Sequence, residues 1–278
     1  MKIAFVGKGG SGKSTMSWLF VNLIASQNKN VLAIDADHNM DLTSNFNIEV
    51  GDESETINRN HKTFFDYFGY PNATKWSEIK IKKGFVPYFS IFPHDDITKK
   101  VTTQVNENIS LMNAGLGTED VIETDFCSHF LANPIRYFLS YINDDNADIV
   151  VDCVAGFDIL NYGFQVGLDG FVGIVEPHKN SIKVMEQIKT NATASLVPLY
   201  IILNKPNDTE FTKEIREKFK KELIGEIDLD ETITTIDYSR VSEKTKNKLA
   251  EIWNALNGRF DKTKQREIQL MLRDSLEK

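Results

Sequence analysis

The stretch Gly7-Lys8-Gly9-Gly10-Ser11-Gly12-Lys13-Ser14 limits what this chain can fold into more than any other part of it. It matches G-x-x-x-x-G-K-[ST] in full, follows the apolar run Ile3 to Val6, and opens a helical pattern from Ser14 to Ser26. A polyphosphate needs several donors converging on one point. Glycines allow positive φ and leave backbone N–H groups exposed to do this. Lys13 brings a cation to the β and γ phosphates, Ser14 offers a hydroxyl suited to Mg²⁺, and the helix start adds its positive dipole end. Gly7, Gly9, Gly10, Ser11, Gly12, Lys13, Ser14 and Thr15 are therefore the expected nucleotide-binding set.

The rest of the chain alternates strand-like and helix-like runs. Strands are expected at Lys2 to Val6, Val31 to Asp35, Ile109 to Met112, Asp148 to Asp152, Gly170 to Val175, Leu199 to Leu203 and Leu223 to Ile227. Asn180 is expected to cap a helix carrying Ile182, Met185 and Ile188, and a charged helix is expected from about Glu210 to Lys221. Two amphipathic helices separated near Gly258 finish the chain. Runs such as DIVVD, apolar and β-branched at Ile149, Val150 and Val151, suit a strand covered on both faces. The fold class is α/β: a doubly wound, mostly parallel sheet flanked by helices, in one P-loop domain over residues 1–278. An insertion at about 50–103, with a helical run around Thr63 to Phe68, is expected on one side of the sheet, and C-terminal helices at about 240–278.

Composition narrows the function classes. Of 278 residues, 41% are hydrophobic and 26% charged, an ordinary globular balance, and the net charge of -8 argues against a protein whose main task is coating nucleic acid. The two cysteines, Cys127 and Cys153, form no CxxC pair, which points to a reducing, cytoplasmic setting. No signal-peptide or lipidation pattern is present.

Lys8 is unusual, because the loop already contains Lys13. The loop GKGGSGKST resembles the deviant Walker A loop of the MinD/ParA/nitrogenase-iron-protein superfamily of ATPases. In that family this lysine acts across a nucleotide-sandwich dimer, so the resemblance implies an ATP-dependent homodimer in which Lys8 reaches the neighbour's phosphates. It also implies catalytic roles for Lys8, Lys13 and Asp37. In the sequence Asp35-Ala36-Asp37-His38-Asn39, Asp37 would orient, or take a proton from, the attacking water, and Asp35 would lie near Mg²⁺. His38 stands where several branches carry proline. Asp152, ending its strand, would hold Mg²⁺, so that Ser14, Asp35 and Asp152 form the implied magnesium set. Asp152-Cys153-Val154-Ala155-Gly156 resembles the second switch, D-x-x-A-G, with Gly156 offering its N–H to the γ-phosphate.

Leu203-Asn204-Lys205-Pro206-Asn207 follows a strand, and Asn207 stands where guanine-specific switches carry aspartate. An amide there has one acceptor, and its NH₂ opposes the guanine donors, which favours adenine. By resemblance, Asn204 contacts the base and Lys205 belongs to the same site. Leu160 and Gly163 after the second switch, and Val175-Glu176-Pro177 followed by Ser181-Ile182, most resemble the CooC-type nickel-insertion ATPases. Those proteins carry a C-x-C pair at the dimer interface. The corresponding stretch contains Asp125, Cys127 and His129, all ligand types for Zn or Ni. The resulting expectation is a slow ATPase switch serving an unidentified client protein, for which a metalloenzyme is the implied candidate. The alternative is a ParA/MinD-like positioning ATPase acting on DNA or a membrane surface. The C-terminal segment, with Ile268, Met271, Leu272 and Leu276 on roughly one face, is expected to pack rather than to anchor.

Overall fold

β1 (Lys2–Gly7) lies between β5 (Asp148–Asp152) and β6 (Gly170–Val175), parallel to both. The structure is a computed structural model that describes residues 1–37, 39–49, 56–79, 88–115, 133–156 and 164–276. The sheet is completed by β2 (Val31–Asp35), β3 (Thr102–Gln104), β4 (Ile109–Asn113), β7 (Leu199–Asn204) and β8 (Leu223–Ile227), in the order β3-β4-β2-β5-β1-β6-β7-β8. Every pairing is parallel except β3 with β4.

The expected strands lie where the apolar runs placed them. The short antiparallel edge β3 was not expected, since Thr102-Thr103-Gln104 has no apolar alternation and is largely exposed. Successive strand residues face opposite sides, so the core divides in two. Ile3, Phe5, Val31, Ala33, Val150 and Val172 pack under α1 (Lys13–Ser26) and α7 (Glu243–Arg259). On the other face Ala4, Val6, Leu32, Ile34, Val151 and Phe171 pack under α5 (Lys179–Ala194) and α6 (Glu210–Lys218). α1 is buried nearly all round, with Phe20 near Phe5 on one side and Trp253 of α7 on the other. A helix apolar on all sides belongs in such a sandwiched position.

α2 (Asp41–Asn45) follows β2, and α3 (His61–Tyr67) begins two residues before the expected helical run. The described parts of the 50–103 region join the second core half through aromatic rings. Phe89 and Phe138 stack with centroids 4.6 Å apart, and Phe65 meets Trp76 edge-on at 5.0 Å. Phe138 belongs to α4 (Asn133–Tyr141), a helix not anticipated although Ile135, Phe138, Leu139 and Ile142 have the i, i+3, i+4, i+7 spacing.

The structure corrects the start of one helix. α5 is capped by His178, whose Nδ1 accepts from Ser181 N, and Asn180 is already inside the helix. α7 ends at Arg259, so the break falls near Gly258 as expected, and the ring of Phe260 lies against Gly170 and Tyr200. The last helix, α8 (Lys262–Leu276), turns Gln265 and Gln269 inward, while Leu270 and Met271 are more than half exposed. Gln269 Nε2 donates to Leu168 O at 3.1 Å and Asp169 Oδ1 at 2.9 Å, and of the expected packed face Ile268 is half-buried while Met271 is exposed. The side chains of Leu272 and Leu276 lie outside the described residues.

Asp230 ties β8 to α7. Its carboxylate accepts from Thr232, from the hydroxyl of the α7 cap Ser242, and from Thr245. Burial pushes this carboxyl upward, but those donors outweigh it and hold it well below the usual range. A depressed carboxylate contributes stability that is present above its unfolded value near 4 and is lost as pH falls toward the folded one. Asp230→Ala should therefore cost about 1–2 kcal/mol at pH 7. In urea unfolding, the gap from the parent should narrow below about pH 4; a gap independent of pH would contradict this.

Candidate nucleotide-binding site

Among the described residues, those of the P-loop, Asp35, Asp37, Asp152, Gly156 and Asn204 lie at the C-terminal edge of the parallel strands, where doubly wound sheets hold their ligands. The loop after β1 turns on Gly7, Gly10 and Gly12, with φ of 154°, 78° and 91°. Gly12 leaves no room for a side chain, since a Cβ there would lie 2.6 Å from Asn204 Nδ2. Ser11 N closes the turn on Lys8 O at 3.1 Å, and α1 starts at Lys13, whose side chain is buried. Thr15 and Ser14 follow in the first turn, both half-buried. The second switch is fastened to the loop's first residue, with Gly156 N donating to Gly7 O at 3.0 Å. The structure thus brings Gly7, Gly9, Gly10, Ser11, Gly12, Lys13, Ser14, Asp152 and Gly156 to one place.

Two carboxylates lie beside this loop. Asp35 and Asp152 are register partners across β2 and β5, and both are wholly buried. Burial pushes the Asp152 carboxyl up to about 8; Asp35 adds to the rise, while the Ser14 hydroxyl and the Lys13 ammonium oppose it. Ser17, one turn below Ser14, donates to Asp152 Oδ1 at 3.2 Å, and Oδ2 is buried with no hydrogen-bond partner. An orphaned carboxylate oxygen beside a serine hydroxyl suits a hydrated hard cation. Asp35 differs. Its Oδ2 accepts from Thr43 N at 2.8 Å and Thr43 Oγ1 at 2.7 Å, and its Oδ1 accepts from Asp37 N at 3.2 Å. Burial raises its carboxyl to about 6, with the Thr43 and Asp37 donors opposing and the Asp37 charge adding. Asp35 thus spends three of its acceptor positions on protein donors, whereas Asp152 keeps an oxygen free of them.

Asp37 is buried, and its Oδ1 accepts from Asn39 N at 3.1 Å. Its charge reaches both Asp35 and Asp152, so it belongs to the same cluster. Cys153 is wholly buried, and burial pushes its thiol up, which makes it a packed and unreactive group.

Lys8 stands apart from Lys13. It is half-buried on a loop whose next two residues, Gly9 and Gly10, are exposed. Its Nζ donates to Gly9 O at 3.2 Å and meets no carboxylate among the described residues. On the far side of the loop, Asn204 is buried and its Nδ2 donates to Ser11 O at 2.9 Å. Lys205 takes φ of 52° and pairs with Glu176 at 2.9 Å. Asn207 serves the start of α6, its Oδ1 accepting from Thr209 and Thr212. His38, Asp125, Cys127, His129, Leu160 and Gly163 lie outside the described residues. Among the described residues no cluster of three or more His, Cys, Asp or Glu is arranged to hold a metal ion. Ser17 and Thr43 were missed in the sequence: nothing in the linear pattern distinguishes them from other helix hydroxyls.

Residues 3–242 match the model of the CobQ/CobB/MinD/ParA nucleotide-binding domain. The chain belongs to this family. An ATP-binding protein of Methanocaldococcus jannaschii is 26% identical to it over 218 residues, spanning 75% of this chain and 80% of the relative. The carbon monoxide dehydrogenase accessory protein CooC of Rhodospirillum rubrum is 25% identical over 248 residues, spanning 87% and 89%. A plasmid partition protein of Borrelia burgdorferi bound to AMPPNP superimposes with a TM-score of 0.59 at 18% identity, covering 92% of this chain and 98% of that one. For this member of the CobQ/CobB/MinD/ParA family, the P-loop is the candidate nucleotide-binding element. Replacing Lys13 with alanine removes a buried cation from it and should weaken ATP binding by about 100-fold. A nucleotide titration by calorimetry checks this, and an unchanged affinity would contradict the assignment.

Proposed function

We propose that this protein is a slow ATP-hydrolysing switch that dimerises on ATP, each subunit lending Lys8 to the other's triphosphate. The observation that carries the proposal is Lys8 itself: a second loop cation on an exposed turn, whose ammonium meets a neighbouring carbonyl and no carboxylate among the described residues. Lys13 already supplies the in-chain charge, so a second ammonium gains most where another subunit's phosphates approach.

The adenine assignment rests on Asn204. With Nδ2 committed to Ser11 O, its acceptor Oδ1 is turned the other way. An acceptor matches the exocyclic amino group of adenine and opposes the carbonyl of guanine. Ser14 and Asp152 would hold Mg²⁺, and the orphaned Asp152 Oδ2 fits that role. When bound, the ion neutralises charge between the β and γ phosphates. Asp37 orients the attacking water and takes its proton, and Gly156 would exchange its N–H bond to Gly7 O for one to the γ-phosphate, so the second switch would have one position with ATP and another with ADP.

We extend the proposal to metalloenzyme maturation, supported by likeness to a carbon monoxide dehydrogenase accessory protein. Asp125, Cys127 and His129 of each subunit would then meet at the dimer interface around Zn or Ni. A positioning role on DNA or a membrane is the competing proposal, supported by likeness to a plasmid partition protein. The membrane form is disfavoured by the polar seating of α8, and no described helix is long and apolar enough to cross a membrane. Sedimentation with ATP and Mg²⁺ tests the switch: a monomer should become a dimer and revert as ATP is consumed. Metal analysis of the ATP-bound dimer separates the two roles. Bound zinc or nickel supports maturation, and a metal-free dimer retained on DNA supports positioning.

A further inference from the structure

Asp35 and Asp152 occupy paired positions, yet one has an orphaned oxygen and the other has three donors. The donors of Asp35 form one directed chain. Gly115 N donates to Asn113 Oδ1 at 2.6 Å, which fixes the amide so that Nδ2 points to Thr43 Oγ1 at 2.8 Å. An amide NH₂ only donates, so the single Thr43 proton is left for Asp35 Oδ2. The other oxygen of Asp35 then accepts the backbone N–H of Asp37. Asp35, Asp37, Thr43 and Asn113 are all buried, so the chain runs where hydrogen bonds are strongest and unpaired groups cost most.

We infer that Thr43 and Asn113 are positioning residues for Asp37, holding the turn that orients the attacking water through Asp35. This rests on the proposed role of Asp37. Asp35 thereby acts on the backbone of the catalytic turn. The chain also has a remote end. Gly115, at φ of 76°, is pressed against Thr56, where a Cβ would have no room, and Ala114 N donates to Asp35 O at 3.0 Å. A shift where the chain leaves β4 would therefore reach Asp37 through three side chains.

The test uses the full-length protein with Thr43→Val, Thr43→Ser and Asn113→Ala, each alone and combined with Asp37→Ala. Thr43→Val keeps the shape and removes the hydroxyl, whereas Thr43→Ser keeps the hydroxyl. Thr43→Val and Asn113→Ala should lower kcat by about 100-fold, the loss expected when a reacting group is displaced by about an ångström. ATP affinity should stay within about threefold, because neither residue touches the P-loop, and Thr43→Ser should restore most of the rate. In the Asp37→Ala background the Thr43 and Asn113 changes should have no further effect, since groups acting through one another are non-additive. Hydrogen exchange read at the Asp37 amide should speed up at least about tenfold in Asn113→Ala, at equal global stability, because its acceptor is loosened. Additive rate losses, or an unchanged Asp37 amide, would overturn the inference. If the parent protein shows no ATP hydrolysis, the proposed function fails, and the exchange measurement still decides the relay.

Discussion

Lys8→Ala is expected to cut ATP turnover by about 10³-fold or more, the scale lost when a cation donated in trans is removed from phosphoryl transfer. Affinity for the first ATP should change little, because Lys13, Ser14 and the glycine turns remain and, among the described residues, the Lys8 ammonium meets Gly9 O and no carboxylate. The ATP-driven dimer should weaken together with the rate, since each subunit loses a charged contact with its neighbour's triphosphate. Turnover and sedimentation measured on one sample check both. Normal turnover with normal dimerisation would assign Lys8 to the solvated loop surface.

Asp37→Ala should have the opposite signature on the dimer. If Asp37 has the proposed role of orienting and deprotonating water, its removal should slow hydrolysis by about 10²–10⁴-fold. Binding should persist, because Asp37 lies with the buried carboxylates Asp35 and Asp152 and not among the loop donors. Removing one of three neighbouring acids also lessens their mutual repulsion, so the variant should unfold no more easily than the parent in the absence of Mg²⁺. The expected product is a long-lived, ATP-loaded dimer, seen as a stable larger species in sedimentation with unhydrolysed nucleotide inside. A variant that dimerises only transiently and still releases ADP would remove Asp37 from the water-handling role.

The parallel strands could be read from the sequence because they are buried on both faces. VLAID, DIVVD and GFVGIV have continuous apolar centres, and their ends coincide with the observed β2, β5 and β6. The P-loop could be read because its glycines and lysine have fixed spacing. What could not be read depends on contacts far apart in the chain. The Asp35 donors come from Thr43, and the brace on that hydroxyl comes from Asn113, 70 residues later. Periodicity carries no trace of such a contact. Asn204 is similar: its position after β7 indicated the base, but its hold on Ser11, 193 residues earlier, appears only in the fold. α8 was legible in part: a packed terminal helix was expected from Ile268, Met271, Leu272 and Leu276, but the hold of Gln269 on Leu168 O and Asp169 leaves no trace in apolar periodicity. The start of α5 went to His178 because its ring nitrogen reaches Ser181 N, a capping role that the usual Ser/Thr/Asp/Asn preference does not suggest.

Mixing the two disabled variants tests the exchange of cations between subunits most directly. A Lys8→Ala chain keeps its own Asp37, and an Asp37→Ala chain keeps a Lys8 to lend. Each alone should be nearly inactive, and each heterodimer should contain one complete site and one with neither group. The mixture should hydrolyse ATP far faster than the sum of its parts, with a rate that peaks near equal proportions. A mixture that gives only the sum, while sedimentation shows that the heterodimers have formed, would mean that Lys8 does not serve its neighbour.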